Sequence, residues 1–264
     1  ISSLRVSRIK SESALVENKH LIIIGAQRSG STMLYGILDQ HPEISMAKPL
    51  RPEPKYFLSG DCKYEDYFTQ VFKNSKNTAW LGEKSASYYE LSNVAQRIKQ
   101  TIPNAKLIVI MRNPVERAIS NYRFSVKNGL ENRSLKEVFI DQQPPPLLSS
   151  DISVDPFNYL GRGEYYTLLT PYYEVFDRDQ ILPLIFEDLL EQNSYDIIWR
   201  YLGVRSHGII HDARYKNESS SVNDDIPLEI LEVLYNHYDS HNAQLQAHLD
   251  LDLTNWNFDY AINK

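Results

Sequence analysis

Three segments of the chain are apolar almost without interruption: "LIII" at Leu21–Ile24, "KLIVIM" at Lys106–Met111 and "ILPLIF" at Ile181–Phe186. A strand with one wet face alternates apolar and polar residues, whereas a strand covered on both faces has no polar side to show. With helical stretches between them, these runs predict a central parallel sheet with helices on both faces, a three-layer α/β sandwich. The elements read as strand 21–25, helix 30–40, an irregular segment to about 60, a short helix near 63–73, strand 79–83, helix 91–101 and strand 106–111. Helices at 114–127 and 134–141 follow, then a proline-marked loop over 142–158, helix 164–177 and strand 180–186. Helix 194–203, a loop over 205–225 and a long helix over 227–249 complete the order. A chain of 264 residues without internal repeats fits one domain, taken as 20–264, preceded by a polar extension over 1–19.

Ligands of such open sheets bind beyond the carboxyl ends of the strands. Two unusual turns fall there. The first, "GAQRSGSTML", places Gly25 and Gly30 around Arg28 and Ser29, with Ser31 and Thr32 opening the next helix. Backbone N–H groups, three hydroxyls, a guanidinium and the positive end of a helix can converge there, and a phosphate is the natural occupant. The plain alternative is a strand–turn–helix connection in which Gly and Ser serve only the bend and the cap. A nucleoside triphosphate loop requires lysine where this chain has Ser31. No apolar strand ends in a magnesium-holding aspartate: "KLIVIM" runs into Arg112, and "ILPLIF" runs into Glu187-Asp188, which read as a helix start. No metal is expected at this loop.

In the second turn, "IVIMRNPVERAISNY", Arg112 closes a strand, Asn113 is suited to cap a helix and Pro114 to its first position. Arg112 and Ser120, about two turns further on, can meet on one anion over the strand end, where the planar guanidinium grips phosphate with two donors. Read separately, each has a plainer role, as a solvated strand-end charge and a surface hydroxyl. Together the two turns describe a nucleotide with phosphates in two places.

On these residues the chain resembles the sulfotransferases that use 3′-phosphoadenosine 5′-phosphosulfate (PAPS). The first turn is similar to their 5′-phosphosulfate loop and the second to their 3′-phosphate motif. "RPEPKYF" (Arg51–Phe57), "GEKSASYY" (Gly82–Tyr89) and "GRGEYYTLLTPYYEVFDRDQILPLIFEDL" resemble segments of the branch that includes heparan sulfate N- and O-sulfotransferases. The resemblance spans roughly 20–250. It implies PAPS as donor, 3′,5′-ADP as product and no required metal. It also implies that Arg28, Ser29, Gly30, Ser31 and Thr32 hold the phosphosulfate while Arg112 and Ser120 hold the 3′-phosphate. Glu53 is then the general base, and Arg28 and Lys84, with Lys55 as a further candidate, are the cations near the sulfuryl group.

A carboxylate is too weak to deprotonate a free hydroxyl, yet it can accept the proton as the S–O bond forms and the hydroxyl acidifies. Pro52 and Pro54 restrict the backbone around Glu53. Histidine is the rival base: His211 is the candidate to test, whereas His41, in the helix-ending "DQHP", reads as structural. Two departures from the branch are plain. Cys62 is the only cysteine, so its C-terminal disulfide is impossible, and "NESSSVN" (Asn217–Asn223) replaces a cationic nucleotide-holding stretch. Lys216 and Ser219–Ser221 are the residues there that could still contact a phosphate.

A net charge of −6 argues against nonspecific nucleic-acid binding. No run approaches the length of a membrane span, residues 1–19 carry no signal-peptide pattern, and no membrane contact is expected within the segment. The lone cysteine favours a reducing, cytoplasmic setting, with the Golgi lumen as the alternative if an anchor precedes Ile1. The expected acceptor is a carbohydrate hydroxyl or amine. A hydroxylated acyl or polyketide chain is the alternative acceptor, and a nucleotide-binding scaffold is the reading from outside the transferases.

Overall fold

The structure is a computed structural model, and it describes residues 19–147, 154–192, 195–208 and 226–258. Five strands form one parallel sheet in the order β2-β3-β1-β4-β5. They are β1 (Lys19–Gly25), β2 (Ile44–Met46), β3 (Trp80–Lys84), β4 (Lys106–Met111) and β5 (Ile181–Ile185). The helices are α1 (Ser31–Asp39), α2 (Tyr64–Val71), α3 (Ser92–Thr101), α4 (Pro114–Lys127) and α5 (Leu135–Phe139). After them come α6 (Tyr165–Val175), α7 (Phe186–Gln192), α8 (Asp196–Leu202) and α9 (Leu228–Leu249).

Alternate residues of a strand face opposite sides of a sheet, and each apolar run divides accordingly. Ile22, Ile24, Leu107, Val109 and Met111 pack into a core with Val94, Ala95 and Ile98 of α3 and Leu169 and Tyr172 of α6. Leu21, Ile23, Ile108 and Ile110 face the other way, into a core with Leu34 and Leu38 of α1 and Ile198, Trp199 and Leu202 of α8. A third cluster lies beside the sheet, where Val115 and Ile119 of α4 and Phe139 of α5 meet Ile230, Leu234 and Tyr238 of α9. The three layers are those expected from the sequence.

Several boundaries differ from expectation. The segment read as irregular to about 60 contains β2, a three-residue edge strand pairing Ile44 with Trp80. Three residues are too few to show a period. The strand read over 180–186 stops at Ile185, and Phe186 already begins α7. Pro183 is compatible with β5 because this edge strand bonds only to β4. Pro171 lies inside α6 without ending it.

Ile108 lies in β4 between β1 and β5, fully buried. Ile108→Ala removes three buried carbons where the sheet cannot collapse to fill the space. Urea unfolding should report a loss of about 2–5 kcal/mol.

Candidate active site

The two predicted turns lie side by side at the carboxyl edge of the sheet, since β1 and β4 are neighbours there. In the first turn Arg28 and Gly30 have φ of 66° and 91°. Left-handed backbone favours glycine, and Gly30 is needed for a second reason: a Cβ there would meet the Phe186 ring at 2.5 Å. Gly30 caps α1, while Ser29 and Ser31 are buried and Thr32 is half-buried.

Arg28 reaches from the first turn to the second. Its Nε donates to Ser120 Oγ at 3.2 Å, and its guanidinium lies 4.8 Å from the Phe124 ring centre. Ser120 and Phe124 are one turn apart on α4, so a single helix face receives the arginine. In the second turn Asn113 caps α4, its side chain accepting from the Val115 and Glu116 N–H groups. Arg112 is buried and its fork binds one oxygen of Glu116, at 3.1 Å through Nε and 2.7 Å through a terminal nitrogen. Burial, then the positive charges of Arg112, Arg51 and Arg117, pushes the Arg28 pKa down. Four guanidiniums thus act on one region of a protein whose net charge is negative.

The buried hydroxyl of Tyr165 joins the turns. It donates to the Arg112 carbonyl at 2.9 Å and lies 3.4 Å from both the Arg112 N–H and Ser29 Oγ. This residue was not singled out in the sequence, where 18 tyrosines offer no means of choosing it.

Glu53 and Lys84 meet at the end of β3. The Lys84 ammonium donates to Glu53 Oε1, and Glu53 Oε2 accepts from the Ala86 N–H at 3.0 Å. The Lys55 N–H donates to Ser85 Oγ at 2.9 Å, so the 53–55 segment is strapped along 84–86. β3 runs beside β1 with Lys84 opposite Ile23, which sets the pair next to the first turn. Lys84 is buried.

Glu83 points to the opposite side and is fully buried. It accepts from Tyr67 at 3.1 Å and from Ser85 at 3.2 Å. Burial raises its pKa from 4.5 to about 8, against the lowering effect of hydrogen bonds from Tyr67, Ser85 and Tyr88, with the charge of Glu53 adding to the rise.

His41 is structural. Its Nδ1 accepts from the Glu43 N–H at 3.1 Å, its Nε2 faces the Arg205 carbonyl at 2.9 Å, and its ring packs on Trp199. His211, Lys216 and Ser219–Ser221 lie outside the described residues. A cavity of about 1040 Å³ opens at the other end of the sheet, lined by Lys19, His20, Trp80 and Lys106. None of the predicted site residues lines it.

These features define an α/β domain of P-loop-like architecture with two arginine- and hydroxyl-bearing turns side by side and a carboxylate–ammonium pair next to them. Residues 18–221 match the sulfotransferase domain family, and the chain belongs to that family of group-transfer enzymes. It is 35% identical over 117 residues to the membrane-associated sulfotransferase kil1 of Dictyostelium discoideum, a match covering 44% of this chain and 25% of that protein. It is 30% identical over 195 residues to the bifunctional heparan sulfate N-deacetylase/N-sulfotransferase 1 of Mus musculus, covering 70% of this chain and 22% of that protein. The chain therefore spans about a quarter of the length of these relatives. A sulfotransferase structure from Alicyclobacillus acidocaldarius superposes with a TM-score of 0.72 at 23% identity, covering 90% of this chain and 98% of that one, and confirms the fold. Among the described residues no helix is long and apolar enough to cross a membrane.

Glu83 has a readable consequence. Because its folded pKa of about 8 exceeds its unfolded value of 4.5, the folded state holds the extra proton between them. Its stabilising contribution is complete below the unfolded value and is lost as pH rises towards the folded one, by up to about 1.4 kcal/mol per pH unit. Glu83→Gln cannot ionise. Denaturation between about pH 5 and 8 should therefore show a flatter stability profile for the variant than for the parent.

Proposed function

We propose that the chain transfers the sulfuryl group of PAPS to a hydroxyl or amine on a carbohydrate. The observation that carries this reading is the Glu53–Lys84 pair, set beside a hydroxyl-bearing turn whose Arg28 reaches across to Ser120 of the neighbouring Arg112 turn. Sulfotransferases in general draw on PAPS, and both phosphate-bearing ends of that donor have partners here. Ser29, Gly30, Ser31, Thr32 and Arg28 would hold the phosphosulfate. Arg112 and Ser120 would hold the 3′-phosphate, which takes up the guanidinium fork in competition with Glu116.

In the reaction an acceptor oxygen or nitrogen attacks sulfur as the bridging S–O bond to the 5′-phosphate breaks, releasing 3′,5′-ADP. The acceptor proton passes to Glu53. A protonated Glu53 no longer holds the Lys84 ammonium as a counter-ion, which leaves that cation to the charge growing on the sulfuryl and bridging oxygens. Proton acceptance and charge stabilisation are thereby coupled through one ion pair. Arg28, in the first turn, adds a further positive charge.

An anionic carbohydrate acceptor is supported by the cations close to Glu53 in sequence. Lys48, Arg51 and Lys55 fall within eight residues of sequence that include Glu53. Similarity to the mouse heparan sulfate enzyme over most of this chain points the same way.

Binding and chemistry separate by mutation. Glu53→Gln keeps the side-chain shape but not the basicity, so turnover should fall by about 10²- to 10⁴-fold with 3′,5′-ADP affinity nearly unchanged. Arg112→Ala should weaken 3′,5′-ADP and erase its thermal-shift advantage over AMP. His211→Ala should leave most of the rate. Near-normal turnover in Glu53→Gln with loss of activity in His211→Ala would reassign the base to His211. The acceptor is decided by labelled PAPS offered with sulfatable sugars and with carrier-bound hydroxyacyl chains. Label appearing only in the acyl products would reject the carbohydrate reading.

A further inference from the structure

Outside the phosphate turns, three metal-ligating side chains meet between α6 and α9. His237 and His241, in "HYDSH", are one turn apart on α9 and share a helix face. Glu164 immediately precedes α6. Its Oε1 lies 3.1 Å from His237 Nε2 and 4.0 Å from His241 Nε2. One ligand atom from each of the three lies within 4.8 Å of the others. The two rings are 5.5 Å apart with an interplanar angle of 33°, and all three side chains are half-buried.

An ordinary ion pair does not account for this arrangement. Glu164 Oε1 is at hydrogen-bond distance from His237 only, and His241 stays too far for a second bond. His241 Nδ1 is meanwhile buried with no hydrogen-bond partner. A nitrogen turned towards a carboxylate and stopping short of it is under-satisfied, and groups of that kind call for an explanation. We propose that Glu164, His237 and His241 form a binding site for a divalent transition-metal ion of the zinc type. Tetrahedral zinc at its usual bond lengths of about 2.0–2.1 Å holds neighbouring ligand atoms roughly 3.3 Å apart, within small side-chain adjustments of the spacing present. Two imidazoles with one carboxylate favour zinc, cobalt, nickel or copper over magnesium and calcium, which take oxygen ligands. Three protein ligands leave a fourth position for water.

The position assigns the ion a bracing role. Tyr165, next to Glu164, carries the hydroxyl that joins the two turns, and Tyr238, next to His237, donates to the Leu160 carbonyl at 2.8 Å. An ion here clamps α9 to the start of α6. It takes no part in sulfuryl transfer, so the inference stands whichever acceptor or base the enzyme uses.

The test uses the whole chain, stripped with a chelator and dialysed. Zinc is titrated by calorimetry, cobalt by visible absorption, and magnesium serves as the control. One equivalent of zinc should bind saturably and raise the melting temperature, cobalt should give a tetrahedral-type spectrum, and magnesium should do neither. His237→Ala, His241→Ala and the near-isosteric Glu164→Gln should each weaken zinc by at least about a hundredfold, beyond what loss of a supporting residue usually costs. The stripped variants should melt close to the stripped parent, showing that they fold, and 3′,5′-ADP should still bind the stripped enzyme. Absence of saturable zinc binding, or binding that all three substitutions leave unchanged, overturns the proposal.

Discussion

One phenol oxygen holds the two turns together. The Tyr165 hydroxyl bonds the Arg112 carbonyl and lies within 3.4 Å of Ser29 Oγ and the Arg112 N–H, so the turns after β1 and β4 share a single buried anchor. Each turn alone is a strand–helix connection with modest anion affinity. Fixed relative to one another, they keep Arg28, Arg112 and Ser120 in one arrangement. Leaving a buried polar group unpaired costs about 1–3 kcal/mol, which is the penalty that keeps Ser29 and Arg112 in register with the tyrosine. The helix carrying Tyr165 therefore belongs to this pair of turns as much as the loops do.

Charge at the site is arranged in pairs that can be exchanged. Arg112 is held by Glu116, Lys84 by Glu53, and Arg28 by Ser120 and the face of Phe124. A buried cation without a partner would carry a large desolvation cost. A partner that can be given up, or protonated, lets the same cation serve an anion that arrives later. Glu83, immediately before Lys84, solves the opposite problem: burial favours its neutral form and encloses it among the hydroxyls of Tyr67, Ser85 and Tyr88.

The sheet and both turns were legible because their signals are dense: unbroken apolar runs, a glycine that must turn, and an asparagine–proline start to α4. Other features carry a local signature in the sequence. Adjacent residues in a strand face opposite ways, so Glu83 and Lys84 find their partners on different sides of the sheet. The four-residue spacing of Arg112 and Glu116 marks an ion pair on a helix start. What the sequence could not yield is contact across long separations. Nothing local distinguishes Tyr165 from the other tyrosines, assigns Glu53 to Lys84, or raises the three residues of β2 into a strand.

The central place of β1 has a consequence for how the protein is made. This strand is the first described element of the chain, yet its partners are β3, reached at Trp80, and β4, reached at Lys106. During synthesis its run of isoleucines leaves the ribosome with both edges unpaired, and it stays so until a further sixty to ninety or so residues have followed. Parallel pairing over such separations is slow and exposes an aggregation-prone segment. A nascent chain of this topology has good reason to depend on chaperones that shield β1 until its two neighbours arrive.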